Sequence, residues 1–309
     1  MTISMAEGRR ARLDALGYDY AAQPKDVVPA CNLCGHGAFV VLTHRDRYGY
    51  PAQAHACARC GLVFLNPRMT AAAYGRFYDG VYRPLVSAFH GRLIDAHTIQ
   101  AEQSEYAVER ADLLAPFVSD AGLATMLDIG GSTGVVAQHF ANEFGMDGTV
   151  IDPAPLEVEQ ARKLGLETIT DLVERHDFAG RTFDLVIICQ TVDHLLDIAG
   201  TLSRVRRLLS ARGLLFVDIV DFRAAYLRNW SVEAAVKIDH PYYLTGETMR
   251  AYLRRAGFSV LRSDYAADHL HVSYVCRPES PEPNAGVARE HVDELLREVR
   301  FVQNAPAPR

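Results

Sequence analysis

The chain has 309 residues, 49% of them hydrophobic and 23% charged, and a formal net charge of −6. That length accommodates one large domain with a small one, or two domains, and buries a sizeable core. The composition is that of an ordinary globular protein, and the acidic balance argues against a surface built to grip nucleic acid.

Residues 1–27 read as a short helix and a polar lead-in. The opening MTISMAEGRRARLDALGYDY lacks the apolar stretch of a secretory leader. No apolar run approaches the ~18 residues of a membrane span. The expectation is a soluble, cytoplasmic chain with no membrane partner.

Residues 28–68 hold two matching knuckles, Cys31-Asn32-Leu33-Cys34-Gly35 and Cys57-Ala58-Arg59-Cys60-Gly61, around a strand-like FVVLTHRDRYGY. Each CxxC brings two thiolates to one metal, and the glycine after it allows a tight turn. Cys31, Cys34, Cys57 and Cys60 are therefore expected to hold a structural zinc; iron accepts the same ligands but fits less well. Four thiolates fill the coordination sphere, so this metal is not expected to act in catalysis. His36, His44 and His55 read as surface or packing residues. Cys189 and Cys276 lie in apolar runs and read as small buried fillers.

Residues 69–117 read as helical, rich in tyrosine, arginine and histidine at first. From residue 124 strands and helices alternate. TMLDIG, GTVID, LETIT, FDLVIIC and GLLFVDI are strand candidates; VVAQHFANEF, PLEVEQARKLG and DIAGTLSRVRRLLS are helix candidates between them. Such alternation predicts a parallel sheet covered on both faces. After the helix GETMRAYLRRAGF, FSVLRSDYA and LHVSYVC stand too close for anything but an antiparallel hairpin. Arg204, Arg206 and Arg207 read as a solvated helix face. Residues 278–288 are proline-rich and polar, HVDELLREVRFV is a helix, and the last six residues are a tail. That helix could pack back on the domain or join two chains, and the oligomeric state stays open. The predicted class is α/β. It has a Rossmann-like doubly wound sheet ending in an antiparallel pair, a zinc ribbon at 1–68, a helical lid at 69–117, a cofactor domain at 118–277 and a C-terminal linker, helix and tail at 278–309.

Asp128-Ile129-Gly130-Gly131-Ser132-Thr133-Gly134 falls between a strand and a helix, where glycines let a ligand approach the backbone. The dinucleotide spacing GxGxxG fails, because Ser132 and Val135 stand where glycines are needed. A carboxylate at Asp128 would repel a pyrophosphate but suits a cationic ligand. Asp152 ends the next strand, where it can accept from ribose hydroxyls.

These residues resemble the first motif of the class I S-adenosylmethionine-dependent methyltransferases, with Ser132 in place of the usual middle glycine. FDLVIICQTVDHLL, VRRLLSARGLLFVDI and TMRAYLRRAGFSV resemble later family segments in the expected order, over roughly residues 120–277. The resemblance implies that Asp128, Gly130, Gly131 and Ser132 line the methionine end of S-adenosylmethionine and that Gly134 packs the helix start. It further implies Asp152 at the ribose, Asp171 near the adenine, and Gln190 and Thr191 facing cofactor and substrate. The knuckled module followed by GLVFLNPR and a tyrosine-rich stretch resembles a bacterial subgroup from polysaccharide and natural-product sugar pathways. That layout implies a lid with Tyr78 and Tyr82 nearest the chemistry.

Methyl transfer to a hydroxyl is helped by a base. Asp193-His194 and Asp239-His240 supply two candidate pairs, with His194 or His240 as the base and Asp239 beside the second. Each aspartate can orient its neighbour only if the turn allows it. In sugar C-methyltransferases the second pair is Glu-His with a tyrosine two residues before the glutamate; here Lys237 stands in that place. Tyr242 and Tyr243 could line the pocket instead, and His269 and His271 read as structural. The reading is O-methylation of a sugar or similar polyol, a small-molecule or glycan acceptor. Alternatives are sugar C-methylation, RNA methylation or a non-catalytic S-adenosylmethionine-binding protein. Nucleic acid is disfavoured, and no [DN]PP[YF] motif follows FDLVIIC.

Overall fold

The computed structural model describes residues 5–118 and 122–306; residues 1–4 of the lead-in and 307–309 of the tail lie outside the described residues. Helix α1 (Met5–Asp14) precedes strands β1 (Lys25–Asp26), β2 (Phe39–Thr43), β3 (Ala54–Cys57), β4 (Val63–Leu65) and β5 (Arg68–Met69). Helices α2 (Ala71–Gly80), α3 (Tyr82–His90) and α4 (Ile99–Val118) follow. Then strand and helix alternate: β6 (Thr125–Ile129), α5 (Val135–Phe144), β7 (Asp147–Ile151), α6 (Pro155–Lys163), β8 (Glu167–Ile169), β9 (Phe183–Cys189), α7 (Ile198–Leu208) and β10 (Leu209–Val220). The chain ends with α8 (Phe222–Asn229), α9 (Val232–Ala235), β11 (Tyr242–Tyr243), α10 (Gly246–Ala256), β12 (Phe258–Tyr265), β13 (His271–Pro278) and α11 (Arg289–Asn304).

Seven strands form the main sheet in the order β12-β13-β10-β9-β6-β7-β8. β6 to β10 are parallel, and β13 runs antiparallel to both β10 and β12. This is the expected α/β sheet with its antiparallel end. Beyond Asp184, β9 is apolar because both its faces are covered. Leu185 and Ile187 enter the cluster under α4 and α5, while Val186 and Ile188 enter the cluster under α7 and α10. The strand order reverses between β9 and β6, so their carboxyl ends open the crevice in which such sheets bind ligands.

Helix ends follow local chemistry. Asp197 caps α7 by accepting from the Gly200 N–H, and a Thr245–Thr248 capping box starts α10. α7 stops at Leu208, because Leu209 and Ser210 already belong to β10. The arginine face of α7 is only partly solvated, which corrects that expectation. Arg207 is exposed, but Arg204 and Arg206 are half-buried with covered Nε atoms, and Arg204 lies over the Phe178 ring.

The cysteine-bearing segment folds as a small antiparallel sheet in the order β11-β4-β3-β2. Its edge strand β11 comes from the far side of the sequence, pairing Tyr242 with Phe64 and Tyr243 with Val63. One face of this sheet shares an apolar cluster with the main sheet, through Leu33, Leu62 and Phe64. The other packs with α2, α3, α8 and α11, through Val63, Leu65, Phe77, Tyr226 and Val299. Asn32 in the first knuckle fixes the orientation: its amide donates to Asp197 at 2.8 Å, and its oxygen accepts from the Ala199 N–H and the Tyr252 hydroxyl. α11 packs back on this assembly, with Arg223 of α8 bridging Glu294 and Glu298. α4 lies on the opposite face of the main sheet, within the cluster of α5. No helix among the described residues is long and apolar enough to cross a membrane.

Candidate functional site

The two knuckles have the same backbone geometry. Gly35 and Gly61 both stand at φ 72°, and their N–H groups donate to the Cys31 and Cys57 carbonyls at 2.8 and 2.9 Å. That turn aims all four sulfurs inward. Cys31 Sγ and Cys60 Sγ are 3.5 Å apart, as are Cys34 Sγ and Cys57 Sγ, and all four lie within 4.8 Å of one another. A tetrahedral zinc with bonds of about 2.3 Å needs sulfurs about 3.8 Å apart. The four thiols fit such an ion, and the three nearby histidines stand outside the group.

At the crevice, Gly130 and Gly131 are glycines because nothing larger fits. A Cβ on Gly130 would lie 2.3 Å from Thr191, and one on Gly131 would lie 2.6 Å from the Asp128 carboxylate. Gly134 has φ 78° and starts α5 against Ala161. Ser132 also takes a positive φ, of 49°, and its N–H donates to Asp152 at 3.0 Å. Asp152 accepts a second bond from the Ala154 N–H at 2.8 Å. Thr191 donates to the Gly130 carbonyl at 3.3 Å, and Gln190 beside it adopts φ 50°, so the loop after β9 is braced on the glycine turn. Asp171 stands two residues past β8, hydrogen-bonded by Arg175.

Asp128 is 1% exposed, and neither of its carboxylate oxygens has a hydrogen-bond partner. Burial, and then the neighbouring Asp152, push its pKa up to about 8. A buried carboxylate without partners is costly unless a cation meets it. Binding of an ammonium-bearing ligand therefore ionises Asp128 and releases a proton near pH 7. Calorimetry of S-adenosylhomocysteine in buffers of different ionisation enthalpy should show that release, fading above pH ~8. Affinity should fall as pH drops below 8. Asp128→Asn should abolish the buffer dependence; a wild-type enthalpy independent of buffer would contradict this account.

Next to the crevice, two histidines, two aspartates and two tyrosines converge. His194 lies just after β9, and His240 lies just before β11. Their rings are 4.3 Å apart. Asp193 does not orient its neighbour; its Oδ2 takes His240 Nδ1 at 2.7 Å, while Asp239 takes His240 Nε2 at 3.2 Å. Burial and Lys237 push the His240 pKa down, but the two carboxylates outweigh them and hold it above its ordinary value. Burial raises both Asp193 and Asp239, and His240 more than reverses this. Both ring nitrogens of His240 thus face carboxylates, which favour its charged form, and Lys237 Nζ also stands 3.3 Å from Nε2.

His194 has a different partner. Its Nδ1 is 2.6 Å from the Tyr78 hydroxyl, which also lies 2.6 Å from the Asp239 carbonyl. A carbonyl only accepts, so the Tyr78 proton goes to Asp239, and His194 Nδ1–H must donate to Tyr78. That fixes the tautomer and leaves Nε2 with its lone pair. Burial, followed by the His240 cation, lowers the His194 pKa to about 4. Tyr82 packs edge-on to Tyr78 at 5.3 Å. The Tyr48 hydroxyl donates to Asp239 at 3.3 Å, and Asp46 accepts from the Ile238 N–H at 3.0 Å. Tyr48, Asp46 and the ion pair of Arg83 with Glu157 (2.8 Å, beside Ser132) are participants that no sequence motif marked.

A family model described as a methyltransferase domain matches residues 99–263. The chain belongs to this family. Family and fold support S-adenosylmethionine as the cofactor, and the unpartnered Asp128 fits its ammonium end. The ubiquinone biosynthesis O-methyltransferase of Methylocella silvestris is 32% identical over 97 residues, 29% of this chain. The match spans only 38% of that relative's length. Among solved structures, an O-methyltransferase family protein from Burkholderia thailandensis has a TM-score of 0.52 at 18% identity, covering 67% of this chain and 63% of its own. The mitomycin 7-O-methyltransferase has a TM-score of 0.51 at 19% identity, covering 66% and 60%. These methyltransferase structures share the fold of this chain.

Proposed function

We propose that the protein is a class I S-adenosylmethionine-dependent methyltransferase that methylates a hydroxyl of a small polyol or sugar, in polysaccharide or natural-product biosynthesis. One observation carries the reading: Tyr78 engages His194 Nδ1, which leaves Nε2 of the neutral ring free to accept a proton, on the loop that Thr191 ties to Gly130. Bound S-adenosylmethionine supplies an electrophilic methyl group on a sulfonium. Asp128, Gly130, Gly131 and Ser132 hold its methionine end, Gly134 packs the helix start, and Asp152 takes the ribose. Asp171 lies toward the adenine, and Gln190 and Thr191 close the crevice from the β9 side. His194 Nε2 accepts the proton of the acceptor hydroxyl. Asp193, Asp239 and the His240 cation form a rigid wall that positions it, while Tyr78 and Tyr82 cover the site from the lid. Cys31, Cys34, Cys57 and Cys60 hold a structural zinc that fixes the lid side.

O-methylation is favoured over C-methylation because Lys237, not a tyrosine, precedes Asp239 and His240, 3.3 Å from the His240 ring. The O-methyltransferase assigned in Methylocella silvestris supports the same atom. The test is methyl transfer from labelled S-adenosylmethionine to a panel of nucleotide-linked sugars and polyols, against bulk RNA. Labelling of a hydroxyl in the sugar panel is expected; robust RNA labelling, or methylation at carbon, overturns it. Failure of both the wild type and Asp152→Ala to bind S-adenosylhomocysteine overturns the enzyme reading as a whole.

A further inference from the structure

Lys237 comes from the stretch between α9 and β11, and its ammonium stands 3.3 Å from His240 Nε2. The His240 ring in turn lies 4.3 Å from that of His194. That ammonium is therefore one side chain removed from the base. It makes no ion pair with a carboxylate among the described residues. A second cation joins it from the loop between β2 and β3, where the Arg47 N–H donates to the Val236 carbonyl at 2.9 Å. The Arg47 guanidinium lies 4.8 Å from the centre of the Phe89 ring. Phe89 packs edge-on to Tyr48 at 5.2 Å, and the Tyr48 hydroxyl donates to Asp239. Arg47 Nε is buried without a hydrogen-bond partner, and this guanidinium too makes no ion pair among the described residues. Burial lowers the Lys237 pKa; Asp239 opposes that, and Arg47 adds to it.

Charge at this end of the site does not balance. Asp193 and Asp239 bring two negative charges, whereas His240, Lys237 and Arg47 bring three positive ones. Asp46 does not make up the difference. Burial raises its pKa to about 7, and its oxygens already accept from the Tyr48, Tyr50 and Ile238 N–H groups at 3.1, 2.9 and 3.0 Å. A surplus positive charge in a largely buried cluster is costly unless an anion meets it. One surplus charge matches one carboxylate. A phosphate monoester, at about −1.5 to −2 near pH 7, overshoots. A guanidinium also suits the two oxygens of a carboxylate. Asp193 supplies the complement. Its Oδ2 is on His240, while Oδ1 is buried with no partner, an acceptor for a hydroxyl of the same ligand.

We propose that Lys237 and Arg47 form a carboxylate subsite beside His194, and that the acceptor is a uronic acid, a sugar ring whose carboxylate sits on these cations while a ring hydroxyl meets the base. The assignment rests on the sugar reading above and narrows it. It makes Lys237 a specificity-determining residue, at the place where the sugar C-methyltransferase pattern has tyrosine.

The test is methyl transfer by the full-length, metal-loaded protein to matched pairs: UDP-glucose with UDP-glucuronic acid, and UDP-galactose with UDP-galacturonic acid. The free sugars, free acids and sugar 6-phosphates run alongside. Both members of a pair carry the same diphosphate, so a preference reports the ring carboxylate alone. The acid should be preferred in kcat/KM by about 10- to 100-fold, the scale of one charge-assisted contact. Lys237→Met should erase most of that preference, chiefly through KM for the acid, and Lys237→Arg should restore part of it. Arg47→Gln should lower the same ratio, which keeps the test open if a Lys237 variant fails to fold. S-adenosylhomocysteine binding reports the folding of each variant. A purely structural Lys237 predicts a lower Tm and equal losses on both members of a pair. Equal losses, or a wild-type preference for the neutral sugar or the 6-phosphate, overturns the assignment and leaves the sugar reading standing. A wild type that binds S-adenosylhomocysteine and labels nothing in the panel overturns both.

Discussion

Replacing His194 with alanine is expected to slow methyl transfer by about 10²–10⁴-fold, the range for a positioned base. S-adenosylhomocysteine binding should stay within about twofold, because His194 hydrogen-bonds Tyr78 and not the glycine loop. The pH profile gives a sharper check. A base works only when neutral, and burial with the His240 cation holds His194 near pKa 4. At saturating cofactor, kcat should therefore persist through pH 6 and fail only as pH drops through about 4, instead of through the ~6.5 of an ordinary histidine. Tyr78→Phe frees His194 Nδ1 to choose its tautomer, so it should cost part of the same rate without moving cofactor affinity. A mid-range acid limb near 6.5 in the wild type, or a fully active His194→Ala variant, would assign the base elsewhere.

Cys57→Ser should have the largest effect on stability. Structural zinc is worth about 10–16 kcal/mol in isolated finger peptides, which is comparable with the ~5–15 kcal/mol stability of a whole domain. Elemental analysis of the wild type should give a zinc-to-protein ratio near one. The variant should lose the metal and melt far below the wild type. It should also lose activity, because β4 of the ribbon pairs with β11, two residues after His240. A metal-free chain with wild-type Tm would refute the ribbon. A variant that stays folded, binds S-adenosylhomocysteine normally and has lost only turnover would show that the metal positions the acceptor side alone.

Much of this was legible from residue patterns. α5 appears as the sequence predicts, because its apolar spacing and the glycines at both ends are local signals. The glycine loop was legible for the same reason: Asp128 to Gly134 is one contiguous turn. Pairings across the fold were not. The two Asp-His dipeptides leave open whether each aspartate reaches its neighbour, and only Asp239 does. The short helical turn at Val192–His194 instead sends Asp193 across to His240 and leaves His194 to Tyr78. β11 is too short to show an alternating pattern, and α8 and α9 fill a stretch whose sequence carried no strong period.

The pairing of β4 with β11 also bears on how the chain is made. On the ribosome the N-terminal knuckles emerge first and can load metal at once, since their ligands are close in sequence. The edge partner of β4 emerges only after most of the main sheet has been synthesised. Until then Val63–Leu65 offers an open hydrogen-bonding edge of apolar residues, the kind of surface that recruits wrong partners. Early metal loading would shield the nascent chain during that wait. Expression in zinc-starved cells should accordingly yield aggregates formed during translation rather than a soluble apoprotein awaiting metal.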